Sequence, residues 1–162
     1  MERMDFSKLD TTIKEEKDIS YVDEERANSR INNIPEHKLD IYYKEDEKLK
    51  PILIDIHGGG FISNDKELNH LFGNYMAQNG FVVFNINYRL AYPKYNVFDQ
   101  VMDINDAIRW IIINAQNYGG NTNEIYIAGH SSGGVLAVIE ALLCKSEKLR
   151  ERDIIYVDLG IF

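Results

Sequence analysis

The chain reads as an α/β fold, a three-layer arrangement in which helices cover both faces of a mostly parallel sheet. Three observations lead there. Apolar runs at residues 51–56, 81–87 and 125–128 have the length of buried strands. The stretches that follow them place apolar residues at helical spacing, and glycines cluster where two of the runs end, at Gly58, Gly59 and Gly60 and again at Gly129, Gly133 and Gly134. Strand and helix alternating from residue 51 onward call for right-handed crossovers, which put helices on both sides of a parallel sheet.

Taken in order, residues 1–18 are polar and mostly charged, and the pattern predicts a loosely docked helix apart from the core. Ile19–Val22 and Lys38–Tyr43 alternate in polarity as half-solvated strands at a sheet edge do. Pro51–Ile56 is a buried strand. Leu68, Leu71, Phe72, Tyr75 and Met76 then repeat at helical spacing until Gly80, and Phe81–Asn87 is the next strand. Val101, Ile104, Ala107, Ile108, Ile111 and Ile112 mark an amphipathic helix closed by the turn Tyr118-Gly119-Gly120-Asn121. Ile125–Ala128 is a strand, Val135–Ile139 opens a helix apolar on most faces, and Ile154–Leu159 predicts one more strand. The expected domains are a polar segment, 1–18, and one α/β domain, 19–162.

Composition narrows the function classes. With 44% hydrophobic residues the chain can bury one core, and a formal net charge of −8 argues against nucleic acid or an anionic membrane as the main partner. The single cysteine, Cys144, lies in an apolar stretch and is expected to pack rather than react. No apolar run approaches the ~18 residues of a membrane span, and the charged N-terminus lacks a secretory apolar region. A cytoplasmic location is the expectation.

The chemistry lies in the two glycine clusters. Gly129-His130-Ser131-Ser132-Gly133 stands between an apolar strand and a helix, the pattern of a sharp turn that lifts a serine hydroxyl above the sheet edge. His57-Gly58-Gly59-Gly60-Phe61 comes directly after a strand, and backbone N–H groups free of side chains can approach a developing negative oxygen. Ser131 is therefore the candidate nucleophile, with the N–H groups of Gly59, Gly60 and Ser132 as oxyanion donors. His57, Gly58, Gly129 and Gly133 support the two turns.

With these two blocks and Asn87-Tyr88-Arg89-Leu90-Ala91, which has Pro93 nearby, the chain resembles the α/β-hydrolase superfamily, in its hormone-sensitive-lipase-like esterase and lipase branch. The resemblance runs over roughly residues 19 to 160 and covers only the N-terminal two-thirds of such a fold, ending after the strand that follows the nucleophile helix. It implies a serine hydrolase acting on small carboxylic esters, with no metal and no organic cofactor. It also implies that His57 braces the oxyanion loop and that Asp103 is the acidic residue opening the next helix. Phe61 and Tyr92 are candidate pocket walls.

A serine hydroxyl needs a base to take its proton and a carboxylate to orient that base. In this fold both come after the serine in sequence, acid before histidine. The four histidines are His37, His57, His70 and His130, all before Ser131. His130 is expected to point away from its neighbour, and His37 and His70 to be solvated. Asp153 and Asp158 come too early for the acid, so neither acid nor histidine of a triad is assigned within the chain. Three readings remain: an ester hydrolase or the N-terminal part of one, an amidase or formamidase on the same serine, and a non-catalytic truncated hydrolase that binds. The last strand, with Leu159, Ile161 and Phe162, would be a bare edge open to a second copy or another polypeptide.

Overall fold

The structure is a computed structural model that describes residues 10–23, 26, 30–31 and 34–145. Its strands are β1 (Lys14–Ser20), β2 (Lys38–Tyr43), β3 (Lys50–Ile56), β4 (Val82–Ile86) and β5 (Gly120–Gly129). Its α-helices are α1 (His70–Gln78), α2 (Val97–Asn114) and α3 (Ser132–Lys145). The strands form one sheet in the order β1-β2-β4-β3-β5. β3 runs parallel to both β4 and β5, while β2 is antiparallel to β1 and β4. Arg30–Ile31 and Ile34–Pro35 make a separate small hairpin. This is the mostly parallel, helix-covered sheet that the sequence predicts. The strand expected over 154–159 lies outside the described residues, and so do Asp153, Asp158, Leu159, Ile161 and Phe162.

β3 and β4 read as apolar runs, each broken by one polar residue (Asp55 and Asn85), because both of their faces are covered. Ile52, Ile54 and Ile56 of β3 and Val82, Phe84 and Ile86 of β4 face the larger core, which α2 fills with Ile104, Ile108 and Ile111 and α3 with Leu136. Leu53 and Val83 point the other way, into a smaller cluster with Tyr42, Ala77 of α1 and Ile13. α2 starts on a capping box: the Asn96 side chain accepts from Phe98 N–H, and the Asp99 carboxylate accepts from Asn96 N–H.

Two local expectations are corrected. Residues 14–18 belong to a strand rather than a loosely docked helix, and their polarity is that of an edge strand held by charge. Lys17 Nζ lies 3.1 Å from Asp40 Oδ2, and Asp18 N–H donates to Asp40 Oδ1 at 2.9 Å where the β1–β2 register is irregular. The apolar stripe of α1 is also displaced, because Leu68 and Leu71 are exposed while Gly73, Asn74 and Ala77 are buried. The helix lies so close to the sheet that a Cβ on Gly73 would stand 2.8 Å from the Tyr42 ring. Gly73 and Ala77 fit directly beneath it, with Phe72 and Met76 packed against the same cluster.

Between α2 and α3 the Glu140 side chain is buried, with one carboxyl oxygen 3.4 Å from Asn105 Nδ2 and the other without a partner among the described residues. Burial without a cation pushes its carboxyl up to about 8. The folded chain therefore holds a proton that the unfolded chain releases as pH rises from about 4.5 to about 8, and stability falls across that window. Glu140→Gln should flatten the fall and raise stability above pH 8 by a few kcal/mol, at ~1.4 kcal/mol per tenfold change in proton affinity. Urea unfolding of both proteins across this pH range checks it; parallel profiles would refute it.

Candidate active site

β5 ends at Gly129 and α3 begins at Ser132, so the chain must reverse within two residues. Ser131 takes up the reversal with φ +55°, a left-handed conformation that L residues other than glycine seldom adopt. The residue is exposed. The reversal requires bare backbone beside it: a Cβ on Gly133 would lie 2.1 Å from the Ile56 carbonyl oxygen, and one on Gly129 2.3 Å from the Gly133 carbonyl oxygen. No rotamer relieves either clash.

The register of β3 with β5 brings the second glycine cluster to the same place. Ile56 pairs with Gly129, and His130 N–H donates to the Ile56 carbonyl at 3.3 Å, so the turns leaving the two strands start side by side. The Cβ position of Gly58 is 3.2 Å from Ser131 Cβ and 3.1 Å from His130 Nδ1. Gly59 (φ +135°) and Gly60 (φ +61°) then fold the loop into a turn in which the Gly59 carbonyl accepts from Ile62 and Ser63 N–H. Among the described residues, the N–H groups of Gly59, Gly60 and Ser132 have no hydrogen-bond partner.

His57 is buried, donates from Nδ1 to the Gly58 carbonyl at 2.8 Å and stacks on Tyr88 with ring centroids 4.4 Å apart. Burial holds its imidazole below the ordinary histidine range. The Tyr88 hydroxyl donates to the His57 carbonyl at 2.7 Å. At the far end of the loop the Phe61 carbonyl accepts from Gln100 Nε2 at 2.7 Å and from Ala91 N–H at 2.8 Å. Sequence reasoning assigned no role to Tyr88 or Gln100. Tyr88 lay within a motif already noted, whereas a glutamine inside an amphipathic helix carries no signal of its own.

Asp103 does not open a helix. It lies in the second turn of α2, fully buried, and receives Arg89 Nε and Nη2 at 2.8 Å each, Arg89 N–H at 2.9 Å and Arg26 Nη2 at 3.2 Å. Burial pushes its carboxyl up, but hydrogen bonds from His37 and Arg89 outweigh that and hold it below the usual carboxylate range. His37 is the second correction, being buried rather than solvated, with Nε2 3.1 Å from Asp103 Oδ1 and Nδ1 3.2 Å from the Arg26 carbonyl oxygen. Its polar sequence neighbours hid a partner 66 residues away. His70 is half-exposed and lies 3.1 Å from Glu15 Oε2, and His130 is exposed. Tyr92 is exposed, Phe61 packs partly against the core, and Cys144 is half-buried.

Among the described residues no His, Cys, Asp and Glu side chains gather in threes to hold a metal, and no helix is long and apolar enough to cross a membrane. The BD-FAE family model matches residues 39–158. The probable isoprenylcysteine alpha-carbonyl methylesterase ICME of Oryza sativa subsp. japonica is 33% identical over 109 residues, which cover 67% of this chain and 26% of that protein. Esterase LipC of Mycobacterium tuberculosis is 31% identical over 111 residues, 67% of this chain and 27% of that protein. Among solved structures, an inhibited esterase B from Lactobacillus rhamnosis superposes with a TM-score of 0.78 at 29% identity, over 89% of this chain and 44% of that one. A bacterial heroin esterase gives 0.65 at 25% identity, over 86% of this chain and 42% of that one. The fold is therefore of the α/β-hydrolase esterase type. The chain spans about a quarter of the length of the curated relatives it matches.

The close contacts separate two kinds of glycine. Gly133→Ala, which forces a methyl into the Ile56 carbonyl, should cost about 3 kcal/mol or prevent folding. Gly60→Ala meets open space and only a left-handed φ, and should cost about 1–2 kcal/mol. Urea unfolding ranks the two, and equal losses would contradict the packing described.

Proposed function

We propose, for a chain that belongs to the BD-FAE family, that it carries the nucleophile and oxyanion half of a carboxylic ester hydrolase. The observation that carries the reading is the strand register that starts the two glycine turns side by side and sets Gly58 against the left-handed, exposed Ser131. Ser131 Oγ attacks the acyl carbonyl, and the N–H groups of Gly59, Gly60 and Ser132 hold the tetrahedral oxyanion. Esterase relatives support an ester as the substrate. The reaction needs no organic cofactor.

None of the four histidines is set to take the Ser131 proton as the reaction requires. His37 is committed to Asp103, His57 to the Gly58 carbonyl, and His70 stands beside Glu15. His130 precedes the serine in a strained turn. The proposed base is an imidazole from a polypeptide segment other than these, bound beside β5, which among the described residues is the sheet's edge. That lack of a base also favours a second reading, a binding module that keeps the fold without turnover.

A fluorophosphonate probe separates the two. On the proposed reading it labels Ser131 slowly, labelling quickens with added free imidazole as an external base, and Ser131→Ala is not labelled. p-Nitrophenyl acetate turnover should show the same order. No labelling even with imidazole, or equal labelling of Ser131→Ala, rejects the hydrolase and leaves the binding module.

A further inference from the structure

A row of polar side chains crosses the α1 face of the sheet. The register sets Asp40 of β2 opposite Asn85 of β4, Asn85 opposite Asp55 of β3, and Asp55 opposite Ala128 of β5. The two carboxylates in this row are treated differently. Asp40 is buried but faces two ammonium groups, Lys17 Nζ at 3.1 Å and Lys66 Nζ at 3.0 Å. Asp55 is only 3% exposed, and among the described residues no lysine, arginine or histidine pairs with it. Its one hydrogen bond there is from Asn69 Nδ2 to Oδ2 at 2.6 Å.

Next to Asp55 the structure leaves a cavity of about 330 Å³, at the lower end of the range for small-molecule sites. Asp55 and Asn69 form its polar wall, Phe72 contributes an aromatic ring, and Ala128, Gly129 and His130 form the side towards the elbow. A buried carboxylate without a counter-charge is costly in a folded chain, and the cost falls when a cation enters beside it. We propose that this cavity binds a small organic ammonium ion, which donates a hydrogen bond to the Asp55 carboxylate and sets its charged end over Phe72 and its apolar part towards Ala128. A ring facing an ammonium group adds cation–π attraction. Burial pushes the Asp55 carboxyl up to about 6, so near pH 7.5 most of it is ionised and ready to accept.

Ammonium binding here is independent of the hydrolytic reading, since none of the ligand contacts involves Ser131 or the oxyanion donors. It bears on the elbow all the same, because a ligand in the cavity touches Gly129 and His130, the two residues that lead into Ser131.

Benzylammonium is the probe, and benzyl alcohol is its neutral counterpart of nearly the same shape. Titrated into the full chain at pH 7.5, benzylammonium should shift the backbone amide resonances of Gly129 and His130. It should bind at least ~tenfold more tightly than the alcohol, the ratio that one charge-assisted hydrogen bond carries. Asp55→Asn, checked for folding by circular dichroism, should remove most of that advantage, and Phe72→Leu should weaken the ammonium more than the alcohol. Equal affinity for the two probes, an unchanged dissociation constant in Asp55→Asn, or no shift at Gly129 and His130 with millimolar benzylammonium would overturn the proposal. Should Asp55→Asn not fold, the comparison of the probes on the unmodified chain decides.

Discussion

The architecture turns on one contact between two stretches of bare backbone. β3 and β5 pair in register up to Ile56 and Gly129, and both strands end there. The two turns leaving them must share a space with no room for side chains: Gly133 lies under the Ile56 and His57 carbonyls, and Gly58 against His130 and Ser131. Because α3 starts immediately, Ser131 has no freedom to relax into an ordinary conformation. Strand pairing, two glycine-rich turns and a strained serine are thus one constraint seen from four positions.

A contact made of backbone fixes the near end of the oxyanion loop, and charge fixes the far end. Asp103 gathers Arg89, Arg26 and His37 around a carboxylate with no solvent exposure, and Arg89 leads directly into the segment whose Ala91 N–H holds the Phe61 carbonyl. A buried charge cluster of this kind adds little net stability, since its attraction largely offsets its desolvation, yet breaking it leaves a charge stranded. Its effect here is positional. It ties the segment before β2, the loop after β4 and helix α2 to one another, and Gln100 from the same helix holds both Phe61 and Arg89 carbonyls.

Much of this was legible in the sequence, and the limits of legibility are physical. Strands buried on both faces announce themselves as apolar runs, and a glycine that must tolerate a carbonyl at van der Waals contact has no substitute, so β3, β4 and the two turns could be placed from residue types alone. Of β1 only the end was placed, at Ile19 and Ser20, because an edge strand stabilised by lysine and carboxylate pairs has the composition of a solvated segment. His37 and Asp103 were misjudged for a related reason. Burial of a charged side chain depends on partners far away in sequence, and no local pattern records them. The inward face of α1 was read in part, since Phe72 and Met76 pack inward, but close packing selects Gly73 and Ala77 there and leaves Leu68 and Leu71 outside.

The division between the groups this chain contains and those the proposed reaction further needs runs along the same physical line. Stabilising an oxyanion takes N–H dipoles at fixed positions, and the two turns proposed to supply them start side by side at Ile56 and Gly129. Moving a proton takes a side chain whose ring is aimed at the serine, and His130 is its immediate neighbour in a two-residue reversal. On the proposed reading the imidazole comes from a separate segment to Ser131, which is exposed. The electrostatic half of such a site can therefore be complete in a chain whose proton-transfer half is supplied from elsewhere, and the two halves are separable by experiment in a way that their usual co-occurrence conceals.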